Sequence, residues 1–138
     1  MGECLFCRAV AGSLPVHEIL SEPAAYAFLD HRPVFKGHVL VVPRDHVETL
    51  ADLPVASVGP FFSVVRRLSV AVEAGLGAGG TFVATNNRVS QSVAHLHTHV
   101  VPRTKGDGLR GFFWPRTKYA SDSEAASYAE RIRAALAD

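Results

Sequence analysis

The stretch His95-Leu96-His97-Thr98-His99-Val100-Val101 is where this chain could do chemistry. Side chains on a strand alternate with period two, so the spacing predicts His95, His97 and His99 on one face and Leu96, Thr98 and Val100 on the other. Neighbouring imidazoles on that face stand roughly 6.5–7 Å apart at Cα. At that separation a protonated ring disfavours protonation of the next, which keeps at least one neutral near pH 7. A neutral imidazole can act as a nucleophile or as a metal ligand. A lone histidine on an apolar strand is usually satisfied by a core hydrogen bond; three in strict alternation point to function.

A second constellation is Cys4-Leu5-Phe6-Cys7. Thiolate pairs at this spacing commonly hold tetrahedral zinc and need two further ligands. His46 and one histidine of the triad are candidates, which would make a closed Cys2His2 site. Such a site is structural and leaves the remaining histidines free for chemistry. The redox reading of Cys-x-x-Cys is weaker, because the motif does not follow a strand of an evident βαβ unit.

These residues need elements to hold them. Val16 to Glu22 reads as a strand and Ala25 to Asp30 as a second, with Glu22-Pro23 turning between them. After a loop carrying Pro33 and Gly37, His38-Val-Leu-Val-Val-Pro43 reads as a third, forming a hairpin with the second. From Val58 the period becomes helical, with Val58, Phe61, Phe62, Val65, Leu68 and Val72 as the core stripe. Pro60 is then in the first turn, and Gly75 and Gly77 end the helix. Thr81 to Thr85 is a strand, Asn86 to Ser92 a polar loop, and His95 to Val101 a strand ended by Pro102. A last helix is expected from Asp122 to Ala137, capped by Ser121 or Asp122, with Tyr128, Ile132 and Leu136 as its apolar stripe. Hairpins plus helices without alternating βαβ units favour an α+β domain on an antiparallel sheet.

At 138 residues and 14.8 kDa the chain fits one domain, residues 1–138, in which 103–138 form a C-terminal extension with the terminal helix. Fourteen Lys and Arg against thirteen Asp and Glu leave a formal charge of +1, against a general nucleic-acid binder. No apolar run approaches the roughly 20 residues of a membrane span. Met1-Gly2-Glu3-Cys4 reads against a signal peptide, and two cysteines so close together cannot staple a secreted fold. A cytoplasmic protein without membrane or nucleic-acid partners is expected. Arg103, Lys105, Arg110, Arg116 and Lys118 form a basic tail around Phe112-Phe113-Trp114, readable as a solvated face or as a polyphosphate contact.

The histidine strand resembles the H-φ-H-φ-H-φ-φ signature of the histidine triad (HIT) superfamily. Cys4-Leu-Phe-Cys7, Phe28-Leu29-Asp30, Gly37-His38-Val-Leu-Val-Val-Pro43, His46, Asn86-Asn87 and Gln91-Ser92-Val93 occur in that family's order. The resemblance implies an antiparallel α+β fold, usually continued across a homodimer, and chemistry at the α-phosphate of purine nucleotides. His97 would attack phosphorus to form a nucleotidyl-histidine, oriented by a bond from its other ring nitrogen to the carbonyl of the first histidine. His99 would donate to a phosphate oxygen. Ser92 and Gln91 would lie beside the phosphate and leaving group. Asp30 and one of Asn86 or Asn87 would meet the ribose, and His38 would support the network. The resemblance assigns Cys4, Cys7, His46 and His95 to a structural zinc.

Two features depart from the family. Thr98 replaces a larger apolar spacer, and the loop Asn86-Asn-Arg-Val-Ser90 lacks the glycines many relatives carry before the glutamine. The Gln91-Ser92-Val93 run is shared with relatives that process aminoacyl-nucleotides or phosphoramidates. Nucleoside phosphoramidates and dinucleoside polyphosphates both remain open as substrates of a hydrolase or nucleotidyl transferase. Two other classes compete with that reading. One is a nucleotide-binding or sensing module without turnover; the other is a metallohydrolase whose histidines hold a catalytic metal.

Overall fold

The computed structural model describes residues 4–109 and 116–136. In chain order its elements are α1 (Leu5–Ala11), β1 (Glu18–Glu22), β2 (Ala25–Leu29), β3 (Val39–Val42), α2 (Val55–Leu76), β4 (Gly80–Thr85), β5 (Thr98–Arg103) and α3 (Asp122–Ala135). A single 3-10 turn, Leu50–Asp52, precedes α2. The five strands form one sheet in the order β1-β2-β3-β5-β4, with every neighbouring pair antiparallel.

Alternation along the central strands divides the core in two. On one face Ala25, Ala27, Val39, Val41, Leu96 and Val100 pack against Phe61, Val64, Val65, Leu68 and Val72 of α2. On the other, Tyr26, Phe28, Leu40 and Val42 pack with Phe6 and Ala9 of α1. The small residues of β2, Ala25 and Ala27, go to the α2 face, while the aromatics of the same strand go to the α1 face. Leu40 pairs with His99, so His99 stands on the α1 face. Thr98 pairs with Val41 on the α2 face, where its hydroxyl meets that of Thr85 at 2.7 Å.

Several boundaries differ from the sequence reading, each for a local reason. α1 had no sequence signal, because seven residues are too short to show a period. Cys4 caps it by accepting from the Cys7 N–H, and Gly12 stops it at φ 83°. α2 begins at Val55 rather than Val58, so Pro60 sits beyond the first turn and Gly75 lies inside the helix; Gly77, at φ 64°, is the stop. Val58 is exposed rather than core, and Val64 joins the buried stripe. By length and composition α2 could cross a membrane, yet its buried stripe packs on the sheet.

The third histidine-bearing segment is also corrected. β5 runs Thr98–Arg103, so His95 and His97 precede it and Pro102 lies within it. The Leu96 N–H goes to Val47 O at 2.7 Å instead of to a strand ladder. Pro102 is tolerated because pairing with β3 reaches only to Val100, leaving β4 as its partner strand.

The chain separates into two compact units, one ending at Asp107 and one beginning at Gly108. In the first, Arg103 pairs with Asp107 at 2.7 Å. In the second, Ser121 caps α3 by accepting from the Glu124 N–H, and α3 ends at Ala135. None of its residues is buried, so the expected stripe of Tyr128, Ile132 and Leu136 stands exposed. Arg110, Phe112, Phe113, Trp114 and Ala137 lie outside the described residues.

Phe61 is fully buried at the centre of the α2 face. Phe61→Ala is expected to cost about 3–5 kcal/mol in urea unfolding, because it removes transfer energy and leaves a cavity. A loss below about 1 kcal/mol would show that α2 does not organise this core.

Candidate functional site

Two polar clusters meet on the α1 face of the sheet, and His95 begins both. Its ring is fully buried. Nε2 lies 2.9 Å from Pro43 O and donates to it. A neutral imidazole carries one proton, so Nδ1 is left with its lone pair. That lone pair faces Cys4 Sγ at 3.4 Å and Cys7 Sγ at 3.5 Å. His46 Nδ1 lies 3.4 Å from Cys7 Sγ.

The ligand atoms of Cys4, Cys7, His46 and His95 all fall within 4.8 Å of one another. In a tetrahedron with metal–sulfur bonds of about 2.3 Å and metal–nitrogen bonds of about 2.0–2.1 Å, the S···N edge is about 3.5 Å. The observed separations match that edge. The Pro43 carbonyl is the kind of outer partner that fixes a metal-bound histidine's tautomer. The donor set and its spacing therefore fit a four-coordinate metal.

His46 reaches this cluster through loop pairing, not through the sheet. Besides the Leu96 bond to Val47 O, Gln91 Nε2 donates to Glu48 O at 2.6 Å, and Asn87 Oδ1 accepts from Leu50 N at 2.8 Å. These rungs hold the segment after β3 against the segment before β5. Asn86 Nδ2 donates to Ser90 O at 3.3 Å, and Gln91 Oε1 accepts from Arg88 N at 2.8 Å. The side-chain amides of Asn86, Asn87 and Gln91 are thus engaged within this loop assembly. Ser92 follows on the exposed surface. Among the described contacts none joins these four side chains to the histidines.

The loop also carries backbone strain. Arg88 (φ 70°) and Ser90 (φ 62°) adopt the left-handed conformation that favours glycine. Each costs on the order of 1–2 kcal/mol in a non-glycine residue. Its internal hydrogen bonds offset that cost.

The second cluster holds His97, His99, His38 and Asp30. His97 is buried, and its Nδ1 donates to His95 O at 2.8 Å, leaving the lone pair on Nε2. The His99 ring lies 5.1 Å from it, edge to face. On the next strand, His38 Nδ1 accepts from the Val34 N–H at 3.1 Å. Neutral His38 must then carry its proton on Nε2, which donates to His99 Nδ1 at 3.0 Å. His99 in turn carries its own proton on Nε2. A lone pair on His97 thus stands beside a donor on His99.

Asp30 closes the turn before His38. Its Oδ1 accepts from Arg32 N at 2.9 Å, while Oδ2 lies 3.8 Å from His38 Nδ1. Of the eight residues expected to work on substrate, the structure gathers Asp30, His38, His97 and His99 into one network. It places Asn86, Asn87 and Gln91 in the adjoining loop, with Ser92 next to Gln91. Sequence reasoning missed Phe6, which packs edge-on at 5.0 Å from the His97 ring and 6.0 Å from that of His95. Its only sequence signal is its place between the two cysteines. The backbone of Val34 and Pro43 carries none.

Burial keeps the imidazoles of His38, His95 and His99 neutral. It lowers the pKa of His38 despite the opposing charge of Asp30, and that of His95 despite the Pro43 bond. His99 is pushed down to about 4, chiefly by burial and then by the neighbouring His97 and His38.

Residues 12–106 match the HIT domain family, and the chain belongs to it. It is 32% identical to the adenosine 5'-monophosphoramidase of Schizosaccharomyces pombe, across 81% of this chain and 83% of that one. A HIT family protein of Bacillus subtilis superposes with a TM-score of 0.88 at 29% identity, covering 99% of each chain. A zinc-bound histidine triad family protein from Mycobacterium smegmatis gives a TM-score of 0.73 at 34% identity, over 95% of this chain and 96% of that one. The family thus includes nucleotide hydrolases, and one of its members is known with zinc.

The lowered His99 pKa has a thermodynamic sign. Between its ordinary value of 6.5 and about 4, the unfolded chain binds a proton that the folded chain refuses. Stability is therefore full above about pH 6.5 and falls as pH drops toward 4. Urea midpoints across this range are expected to decline, and less steeply in His99→Asn. Equal slopes in both proteins would remove His99 as a source of the pH dependence.

Proposed function

We propose that this chain is a nucleotide hydrolase or nucleotidyl transferase acting at the α-phosphate of purine nucleotides, with His97 as the nucleophile. The observation that carries this reading is the buried His97 ring, anchored through Nδ1 to His95 O at 2.8 Å. That bond leaves Nε2 as the only basic atom of the ring and supports the positive charge the ring acquires on attack.

In the first step the Nε2 lone pair forms a bond to phosphorus as the bond to the leaving group breaks. The leaving group departs with the electron pair and takes up a proton from solvent. His99 Nε2–H donates to a non-bridging phosphate oxygen, where charge develops. In the second step a water oxygen bonds to phosphorus while the P–Nε2 bond breaks. The nucleoside monophosphate leaves, the water proton passes to solvent, and His97 is again neutral. When another hydroxyl or amine takes the place of water, the same steps transfer the nucleotidyl group.

His38 holds His99 in the donor tautomer through the Val34 relay. Asp30 Oδ2 accepts from a ribose hydroxyl. Ser92 serves the leaving group, and Gln91 joins it by exchanging its bond to Glu48 O. Asn86 and Asn87 shape the ribose side of the loop. Cys4, Cys7, His46 and His95 hold a structural zinc, which supplies cross-linking between α1 and the loops and no chemistry on substrate. A catalytic metal on Asp30, His38 and His99 is disfavoured, because the Val34 N–H already occupies the His38 Nδ1 lone pair.

The relative named as an adenosine 5'-monophosphoramidase supports an adenosine phosphoramidate as substrate, with dinucleoside polyphosphate as the second class. The exposed Val83 on edge strand β4 and Val70 on α2 support a homodimer that continues the sheet. A cytoplasmic location accords with a nucleotide substrate.

Adenosine monophosphate release from adenosine phosphoramidate and from diadenosine tetraphosphate, compared in wild type and His97→Ala, tests the reading. His97→Ala is expected to lose roughly 10³-fold or more in kcat on whichever substrate wild type prefers. Equal rates in the two proteins would end the covalent mechanism. Nucleotide bound without release by either protein would favour a sensing module.

A further inference from the structure

We infer that Phe6 is a positioning residue for His97, held in place by the ligation of Cys4 and Cys7 with His46 and His95. The inference rests on the reading of His97 as nucleophile and adds a link between the metal centre and the reacting nitrogen. Among the described residues, three contacts fix the His97 ring. Its Nδ1 is bonded to His95 O, the His99 ring stands on one side at 5.1 Å, and the Phe6 ring meets it at 5.0 Å with the planes 80° apart. Two of these three contacts come from residues inside or beside the four-ligand cluster.

Phe6 cannot be held by its own helix. α1 has seven residues and buries only Phe6 and Ala9. Isolated helices shorter than about 12–15 residues are marginal in water, so α1 depends on what its side chains grip. Its N-cap is Cys4, and Cys7 lies one turn on, so Phe6 sits between two thiols on a single turn. Both thiols reach toward His95 Nδ1, and Cys7 also toward His46. A metal shared by these atoms ties that turn to the loop after β3 and to the segment just before His97. Phe6 also packs on Phe28 at 5.5 Å, which fixes the ring laterally. His95 acts twice, through its ring on the cluster and through its carbonyl on His97. Loss of the metal therefore loosens the Phe6 wall, while the 2.9 Å bond to Pro43 O still holds His95 and its carbonyl.

A displacement of the nucleophile by a fraction of an ångström to 1 Å costs up to about 100-fold in rate. The test compares wild type, Phe6→Leu and Val10→Ala. Val10 packs in the same apolar cluster as Phe6 and serves as the control for lost packing. Each protein is measured with one equivalent of zinc and again after chelation. The readouts are kcat and KM on adenosine phosphoramidate, thermal midpoint, and the ¹H–¹⁵N imidazole signals of His97 at one fixed alkaline pH.

Zinc-loaded Phe6→Leu is expected to lose about 10- to 100-fold in kcat with KM held within about threefold. Its His97 signals broaden or split, while Val10→Ala keeps wild-type kcat and sharp signals. Chelated wild type shows the same loss and the same spectral change. Chelating Phe6→Leu adds less than about twofold more, because both changes act through one contact. Wild-type kcat with sharp His97 signals in zinc-loaded Phe6→Leu would overturn the inference. So would chelation that lowers only the thermal midpoint. If no protein releases nucleotide, the nucleotidyl-transfer reading falls, and the His97 signals alone decide whether Phe6 and the metal position the ring.

Discussion

An imidazole that is buried and neutral has one proton to give and one lone pair to offer, and at His95 both have a destination. The proton goes to the Pro43 carbonyl, and the lone pair faces the sulfurs of Cys4 and Cys7. The carbonyl of the same residue takes the Nδ1 proton of His97. Swapping the tautomer would turn an N–H toward the sulfurs and leave a buried carbonyl without its donor, which costs about 1–3 kcal/mol. The choice at Pro43 thus propagates to the metal ligands on one side and to the nucleophile's carbonyl anchor on the other.

A parallel relay runs through the neighbouring strand. The Val34 amide selects the His38 tautomer, His38 selects that of His99, and His99 presents a donor beside the His97 lone pair. Burial holds these rings neutral, so the relay keeps its direction through the physiological range. Both relays begin at backbone groups, which cannot change protonation. They end at two imidazoles of opposite character whose rings are edge to face.

The sheet makes this possible by giving its two faces different work. Ala25, Ala27, Val39, Val41 and Val100 face α2 and form an apolar core around Phe61. Among the described elements of the first unit, the opposite face receives the short α1, which leaves room for imidazoles beside Phe6 and Phe28. The strained turn through Arg88 and Ser90 is the least regular piece, and its amides join it to Glu48 and Leu50. Those same rungs carry His46 to the cysteines.

Much of this was legible from residue order. The alternation of His95, His97 and His99 against Leu96, Thr98 and Val100 declared two faces, and period-two order survives even where the segment precedes its strand. The resemblance that named Cys4, Cys7, His46 and His95 is matched by four ligand atoms drawn together from distant parts of the chain. Short-range pattern could not show α1, because two helical turns carry no period, nor the start of α2, whose first residues face solvent. It also could not show that Asn86, Asn87 and Gln91 turn into their own loop, since an amide's partner depends on which backbone lies nearby. Sequence by itself determined which groups could react and which face they share, because side-chain chemistry and strand period are local. Which nitrogen carries each proton, and that Phe6 stands against His97, only the tertiary structure decided, because both depend on backbone groups and rings brought together from distant segments.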